Sequence, residues 1–178
     1  MATSAPEVAL SPRAREIVAA ARELLEAEGP EGLSMRRVAE QVGIRAPSIY
    51  KHLPDKQALE AALISAGFEE WGGVFRAAAR GAADPVGALA AAYRDHARRH
   101  PHLYRLMTDR PVARERLAPG AEAAAALPLV EAVGGDGDAA RALWAFAHGM
   151  TILELNGRFP DGADLDAAWE RGLAAFRP

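Results

Sequence analysis

Residues 33–53 have the sequence LSMRRVAEQVGIRAPSIYKHL, which predicts two short helices joined by a tight turn. Ser34 suits the N-cap of the first helix, because its hydroxyl can accept a hydrogen bond from a first-turn backbone N–H. Gly43 suits the left-handed position that ends this helix. Pro47 suits the first turn of the second helix, where its missing N–H costs nothing. The stretch therefore predicts a helix-turn-helix.

The apolar and polar side chains of this stretch separate onto two faces. The apolar ones are spaced to pack both helices on one small core, and they are Val38, Ala39, Val42, Ile44 and Ile49. The outward face of the second helix carries Ser48, Tyr50, Lys51 and His52, with Arg45 just before it. A DNA groove accepts a helix face of short polar, aromatic and cationic residues. DNA binding is thus expected, with a merely solvated polar face as the alternative.

The composition of the 178 residues favours an all-helical protein. Alanine is abundant, β-branched residues are scarce, and no long run alternates apolar and polar residues. Cysteine is absent, and we find neither a signal peptide nor an apolar run of about 20 residues. A cytoplasmic protein without a membrane segment is therefore expected. The net charge is −3, yet residues 34–56 carry five cations and two anions, so basic charge is concentrated at the helix-turn-helix.

Helix signals divide the remaining chain. Residues 1–10 are expected to form a loose arm, and a helix over 11–28 should complete a three-helix unit with the helix-turn-helix. Asp55 should cap a long helix over 56–80. Further helices are predicted over 84–99, 102–108, 138–157 and 164–176. Residues 112–133 are predicted to be helical but weakly marked, and because Pro119-Gly120 and Pro128 should break them, a short or irregular element is expected. The predicted domains are 11–55 and 56–178.

The helix predicted over 138–157 is apolar on two faces. Leu143, Phe146, Ala147, Met150 and Leu153 lie on one face, and Trp144, His148, Ile152 and Leu155 lie on the other. A helix that is apolar nearly all round is buried on two sides, and in a small domain the second side is most simply another subunit. The predicted dimer interface combines this helix with the last one and comprises Leu143, Phe146, Met150, Leu153, Leu165, Trp169, Leu173 and Phe176. Which face is interface and which lines a pocket stays open.

The first 60 or so residues resemble the N-terminal domain of TetR-family transcriptional regulators. The matching run is VAEQVGIRAPSIYKHL over residues 38–53, followed by DKQAL over residues 55–59. The runs RALWAFAHGM (141–150) and ELNGRF (154–159) are similar to one group of TetR ligand-binding domains. The resemblance implies a homodimer that binds a palindromic operator and releases it when a small molecule occupies the C-terminal domain. A dimeric DNA-binding regulator without a small-molecule effector is the alternative.

The expected DNA contacts are Ser34, Arg45, Ala46, Pro47, Ser48, Tyr50, Lys51, His52 and Lys56. The resemblance implies phosphate contacts for Tyr50 and Lys56, and Arg45 has the two-pronged donor geometry that suits guanine. Many family members have Ser or Thr where this chain has Arg45 or Ala46, so the second helix has a poor side-chain cap. Either its first amides face a phosphate or Arg45 reaches the groove.

The expected ligand-binding residues combine apolar bodies with a few polar tips, as pockets do. They are Phe68, Trp71, Phe75, Tyr93, His96, Tyr104, Met107, Trp144 and His148. Ordinary helical cores have the same composition, so a purely structural role is the alternative for each of them. For His148, a satisfied core histidine is the favoured interpretation.

Neither a metal site nor a cofactor is predicted. His96 and His100 have a helical spacing that zinc-binding histidines use, but no acidic ligand stands at a useful distance along the chain. We also find no Ser/His/Asp set or carboxylate pair at a catalytic spacing, so an enzyme is not expected. Glu154 and Asn156 are interpreted as polar residues of an interface.

Overall fold

The protein is described by a computed structural model that covers residues 10–177, and these residues form helices joined by turns and loops. The helices are α1 (Pro12–Gly32), α2 (Met35–Val42), α3 (Ala46–Ile49), α4 (Lys56–Ala79), α5 (Pro85–Arg99), α6 (Pro101–Thr108), α7 (Ala121–Ala132), α8 (Gly137–Leu155) and α9 (Leu165–Leu173), with a short 3-10 helix at Arg114–Arg116. The predicted all-α class is confirmed. Within the described residues, no helix is both long enough and apolar enough to cross a membrane. The predicted N-terminal arm lies outside the described residues, except for Leu10.

Polar caps begin most of these helices where the sequence predicts a start. The hydroxyl of Ser11 accepts a hydrogen bond from the backbone N–H of Ala14 at 3.2 Å. The carboxylate of Asp55 accepts one from Ala58 at 2.6 Å and thereby begins α4. Asp84 and Asp164 cap α5 and α9 in the same way. Each cap satisfies backbone donors that have no partner inside the helix.

The predicted end of the first helix at residue 28 coincides with a kink, whereas the predicted break at Pro128 is absent. Gly29 leaves helical geometry with a φ of 73°, but Pro30 starts one further turn that extends α1 to Gly32, so the pair produces a kink. Pro128 lies inside α7 instead of breaking it. A proline removes only one helical hydrogen bond, and the alanines around it have the strongest helix propensity. The expectation of a break at Pro128 is therefore wrong.

The described chain packs into two compact units. The first contains the residues up to Gly67 together with His102–Ala121, and the second contains Phe68–Pro101 and the chain from Glu122 onward. The predicted domains divide the chain after residue 55, whereas in the first unit the start of α4 and all of α6 except Pro101 pack with α1–α3. Glu26 of α1 accepts hydrogen bonds from the backbone N–H groups of His102, at 3.3 Å, and Leu103, at 3.0 Å. This contact between distant parts of the sequence ties α6 to the first unit.

Candidate functional site

The helix-turn-helix is built as its sequence predicts. The Ser34 hydroxyl accepts a hydrogen bond from the backbone N–H of Arg37 at 3.3 Å and caps α2. Gly43 ends α2 in the left-handed region with a φ of 72°, and its N–H donates to the carbonyl of Glu40 at 3.1 Å. The N–H of Ile44 donates to the carbonyl of Ala39 at 2.9 Å, which closes the turn. The direction of α3 is thus determined by short-range hydrogen bonds.

The second helix of the motif is short and packs through its apolar side. α3 covers Ala46–Ile49, and hydrogen-bonded turns continue to Leu53, whose N–H donates to the carbonyl of Ile49 at 3.0 Å. Ile49 and Leu53 are buried. Arg45 occupies the N-cap of α3 and makes no side-chain capping bond, so the predicted poor cap is confirmed.

The residues expected to contact DNA are accessible. Most are exposed and the others are half-buried: the exposed ones are Arg45, Pro47, Tyr50, Lys51, His52 and Lys56, and the half-buried ones are Ser34, Ala46 and Ser48. The face opposite the buried Ile49 therefore presents two cations, an aromatic ring, an imidazole and a hydroxyl. These are the side-chain types that hydrogen-bond to phosphates and base edges.

The cations of the motif differ in how they are paired. Arg37 makes a bidentate pair with Glu28 of α1, and its hydrogen bonds lower the pKa of the Glu28 carboxyl. Lys56 lies 3.7 Å from Glu60, one helical turn along α4. Among the described residues, Arg45 and Lys51 have no acidic partner within 4 Å. The unneutralised positive charge of the motif is therefore at α3.

Four of the predicted ligand-binding residues form one buried cluster in the second unit, which we call the aromatic cluster: Trp71, Phe75, Tyr93 and His96. Ring centroids are 5.1 Å apart for Trp71 and Tyr93, 6.0 Å for Trp71 and His96, and 6.1 Å for Phe75 and Tyr93. The other predicted residues lie elsewhere. Tyr104 and Met107 are buried in the first unit, Phe68 is half-buried on α4, and Trp144 and His148 form a ring pair on α8.

The predicted dimer interface is partly used inside the protomer. Leu143, Trp169 and Leu173 are buried within the second unit, so these three residues cannot present apolar area to a partner. Phe146 packs its ring against Trp169, with centroids 5.5 Å apart, and against Phe176, at 6.0 Å. This face of α8 therefore meets α9 of the same chain. Helical periodicity identifies an apolar face without identifying its partner, so the dimer interface stays a prediction that rests on the residues left accessible.

A cavity of about 400 Å³ lies beside α5, α8 and the loop that leads to α9. It is lined by Arg94, Arg98, Glu154, Leu155, Gly157, Phe159, Pro160, Asp161, Gly162, Ala163 and Leu165, and it includes none of the predicted ligand-binding residues. The Glu154 carboxylate accepts hydrogen bonds from Arg94 Nε at 2.9 Å and Trp169 Nε1 at 2.6 Å. The sequence predicts an interface role for Glu154, whereas the structure gives its carboxylate two donors within the chain. Its position in a mostly apolar helix was the signal that it needed an internal partner.

An all-helical chain with a helix-turn-helix that exposes cations has the architecture of a DNA-binding transcriptional regulator. Residues 17–63 match the family described as bacterial regulatory proteins, tetR family, and residues 86–176 match the tetracyclin repressor-like C-terminal domain. The second match alone covers more than half of the chain. The chain belongs to the TetR family of transcriptional regulators, whose members are DNA-binding regulators and not enzymes.

Individual relatives agree with this assignment. An uncharacterised HTH-type transcriptional regulator of Mycobacterium tuberculosis is 29% identical over 163 residues, which are 86% of this chain and 74% of the relative. The class C tetracycline repressor of Escherichia coli is 44% identical over 50 residues, 28% of this chain and 23% of the repressor. A protein of unknown function from Rhodococcus sp. RHA1 superposes with a TM-score of 0.74 at 29% identity, over 99% of this chain and 100% of that one.

Proposed function

We propose that this TetR-family regulator is a repressor that binds a palindromic operator as a homodimer and releases it when a small molecule binds the second unit. The observation that carries the DNA-binding part is the accessible face of α3. Arg45 and Lys51 lie there without acidic partners among the described residues, while Ile49 packs the opposite side of the helix into the core. The positive charge of the motif therefore faces solvent on the side opposite the core.

The candidate contacts divide by chemistry. The Tyr50 hydroxyl and the ammonium groups of Lys51 and Lys56 donate hydrogen bonds that suit phosphate oxygens, and phosphate contacts set the register of the protein on DNA. Arg45 has a planar donor pair that matches guanine, and base contacts of this kind determine sequence preference. Arg45 should therefore influence which sequence is bound, whereas Lys51 and Lys56 should influence how tightly any duplex is bound.

Operator selection tests this assignment. Bound sites would be recovered from random duplexes, and affinities for the recovered site and for a scrambled site would be measured by fluorescence anisotropy. R45A should reduce the preference for the recovered site by about 1–3 kcal/mol. K51A should instead weaken binding to both duplexes by a similar amount. R80A is the control, because Arg80 is an exposed arginine just after α4 in the second unit. An R80A variant that lost as much preference as R45A would contradict the assignment.

We place the dimer surface on the apolar residues that α8 leaves exposed. Trp144 is 47% exposed and Leu153 is 41% exposed, although both are large apolar side chains. A two-fold axis beside α8 would bury such residues against their own copies. W144E should reduce the molar mass in size-exclusion chromatography with light scattering. A77E introduces the same charge at an exposed position of α4 and should leave the mass unchanged. Equal masses for W144E and the wild-type dimer would contradict this placement.

The effector part of the proposal concerns the aromatic cluster. A ligand that separates Trp71, Phe75 and Tyr93 would act directly on α4, which carries the first two of these rings. The same helix supplies residues 56–67 to the first unit. A ligand shifts operator affinity only if it binds the DNA-competent and released states differently, and such coupling is typically about 1–3 kcal/mol.

The close packing of the aromatic cluster favours a second candidate function, a dimeric regulator without a small-molecule effector. Screening small molecules for release of the operator complex separates the two. Under the first proposal, a releasing compound should lose potency against F75L, which alters the cluster, and keep it against L127A, which alters an exposed side chain of α7. A screen without releasing compounds, or potency that is equal in both variants, would favour the second function.

A further inference from the structure

One carboxylate and two imidazoles converge in the second unit. Oε1 of Glu70, on α4, lies 3.6 Å from Nε2 of His96 and 3.9 Å from Nε2 of His100, both in the segment of α5 and its C-cap. Each of the three residues offers one ligand atom, and these atoms all lie within 4.8 Å of one another. The sequence shows the histidine pair, but only the packing of α4 beside α5 supplies the carboxylate.

We propose that Glu70, His96 and His100 bind a divalent transition-metal ion of the Zn²⁺ class. Two imidazoles and one carboxylate are a donor set that Zn²⁺ accepts with an additional position left for water. Mg²⁺ and Ca²⁺ prefer oxygen ligands, so the two nitrogens select against them. This proposal depends on neither operator binding nor a small-molecule effector.

The two distances from Glu70 are close to those that such an ion needs. A tetrahedral ion with ligands at about 2.1 Å holds neighbouring donor atoms about 3.4 Å apart. The distances from Glu70 to the two imidazoles exceed this value by a few tenths of an ångström, and the three ligand atoms lie within 4.8 Å of one another, so binding requires the imidazoles to rotate toward each other. The histidines are four residues apart, so they lie on the same face of the helix and turn toward the same carboxylate.

The surroundings provide both orientation and access. His96 is 6% exposed, and its ring stands edge-on to Trp71 with an interplanar angle of 87°, which restricts its rotation. His100 is half-buried and Glu70 is exposed, so an ion can enter from solvent and retain a water ligand on that side. A fixed inner ligand with two accessible outer ligands is a practical arrangement for reversible binding.

The competing explanation is an ion pair between Glu70 and a protonated imidazole, without a metal. The two explanations differ in whether the chelator-treated protein binds an ion. Metal ligation requires neutral imidazoles, so one ion should bind near neutral pH and acid should weaken its binding, whereas the ion pair alone predicts no bound ion. Direct measurement of ion binding at neutral pH therefore separates them.

The experiment uses the full-length chain without a histidine tag, treated with chelator and dialysed. Titration with Co²⁺ reports coordination through ligand-field absorption, and calorimetry with Zn²⁺ gives the stoichiometry and affinity. One ion should bind per chain, and E70Q and H100Q should each weaken binding at least about tenfold. E69Q is the matched control, because Glu69 is an exposed carboxylate adjacent to Glu70 on the same helix. It should bind as the wild type does.

Because Glu70 and His100 reach solvent, E70Q and H100Q should keep the fold, and far-UV circular dichroism would verify this. Absence of Co²⁺ and Zn²⁺ binding to the folded wild type would overturn the proposal. So would an affinity that E70Q and H100Q leave equal to that of E69Q, or one that does not weaken in acid.

Discussion

Glu154 should contribute more to stability than any exposed carboxylate of the second unit. Its side chain is 8% exposed, and its two oxygens serve two different donors, Arg94 Nε and Trp169 Nε1. Arg94 also pairs with Asp166, whose side chain is 87% exposed. Burial alone would lower the pKa of the Arg94 guanidinium, but its hydrogen bonds and its attraction to Asp166 and Glu154 together raise it. One arginine thus offers a buried and an exposed partner for direct comparison.

The loss in the free energy of unfolding depends on which donors each substitution leaves without an acceptor. In E154Q one acceptor oxygen remains for the two donors, Arg94 Nε and Trp169 Nε1. The new NH₂ group then faces the donor that has lost its acceptor. A buried donor without an acceptor costs about 1–3 kcal/mol, and a lost charge-assisted bond costs a similar amount. Because Arg94 keeps Asp166, we expect E154Q to lower the free energy of unfolding by about 2–4 kcal/mol. D166N removes a screened surface pair and should cost less than about 1 kcal/mol.

Urea unfolding followed by tryptophan fluorescence and by circular dichroism measures both effects. Protein concentration must be the same in all samples, since association of folded chains adds to apparent stability. If E154Q and D166N lower the free energy of unfolding equally, the buried acceptor does not dominate this network. An E154Q variant within about 1 kcal/mol of the wild type would also refute the reasoning.

Three further changes test other parts of the molecule. K56A should weaken binding to all duplexes and reduce the steepness of the salt dependence by about one unit per protomer; a changed sequence preference would contradict a phosphate contact. G172A places a Cβ against the ring of Phe146 and should destabilise the fold in urea by up to roughly 2 kcal/mol, whereas G73A, with open space around its Cβ, should stabilise it. D55A should lower stability at neutral pH. The backbone hydrogen bond to Asp55 lowers the pKa of its carboxyl, so this contribution is present above the ordinary aspartate pKa and is lost as pH falls through the lowered value. As pH is lowered, the free energies of unfolding of D55A and of the wild type should become equal.

The elements that the sequence predicts well are those whose causes lie within a few residues. Ser34, Gly43 and Pro47 each act on the backbone of their own turn, so their effects are the same in isolation and in the fold. The start of α4 at Asp55 belongs to the same class. The exposure of Tyr50 also follows from local spacing, because its neighbour Ile49 is the residue that is buried in the core.

The elements that the sequence does not predict depend on contacts between distant residues. Glu26 is an ordinary surface residue by its neighbours, yet it caps the start of α6 through Leu103. Glu70 and His100 lie on different helices, so a search along the chain for a ligand near the histidines does not find the carboxylate. In both cases the partner is determined by how helices pack, and local periodicity contains no information about it.

Arg45 illustrates how a local weakness can indicate a function. A Ser or Thr at the start of α3 would cap the helix and contribute about 1 kcal/mol. This chain has an arginine there, and its side chain makes no capping bond. Stability alone would favour the better cap, so the position is better explained by what the guanidinium does outside the fold. A side chain that is exposed, has no acidic partner among the described residues and lies at the first turn of α3 is suited to the base contact that we propose for it.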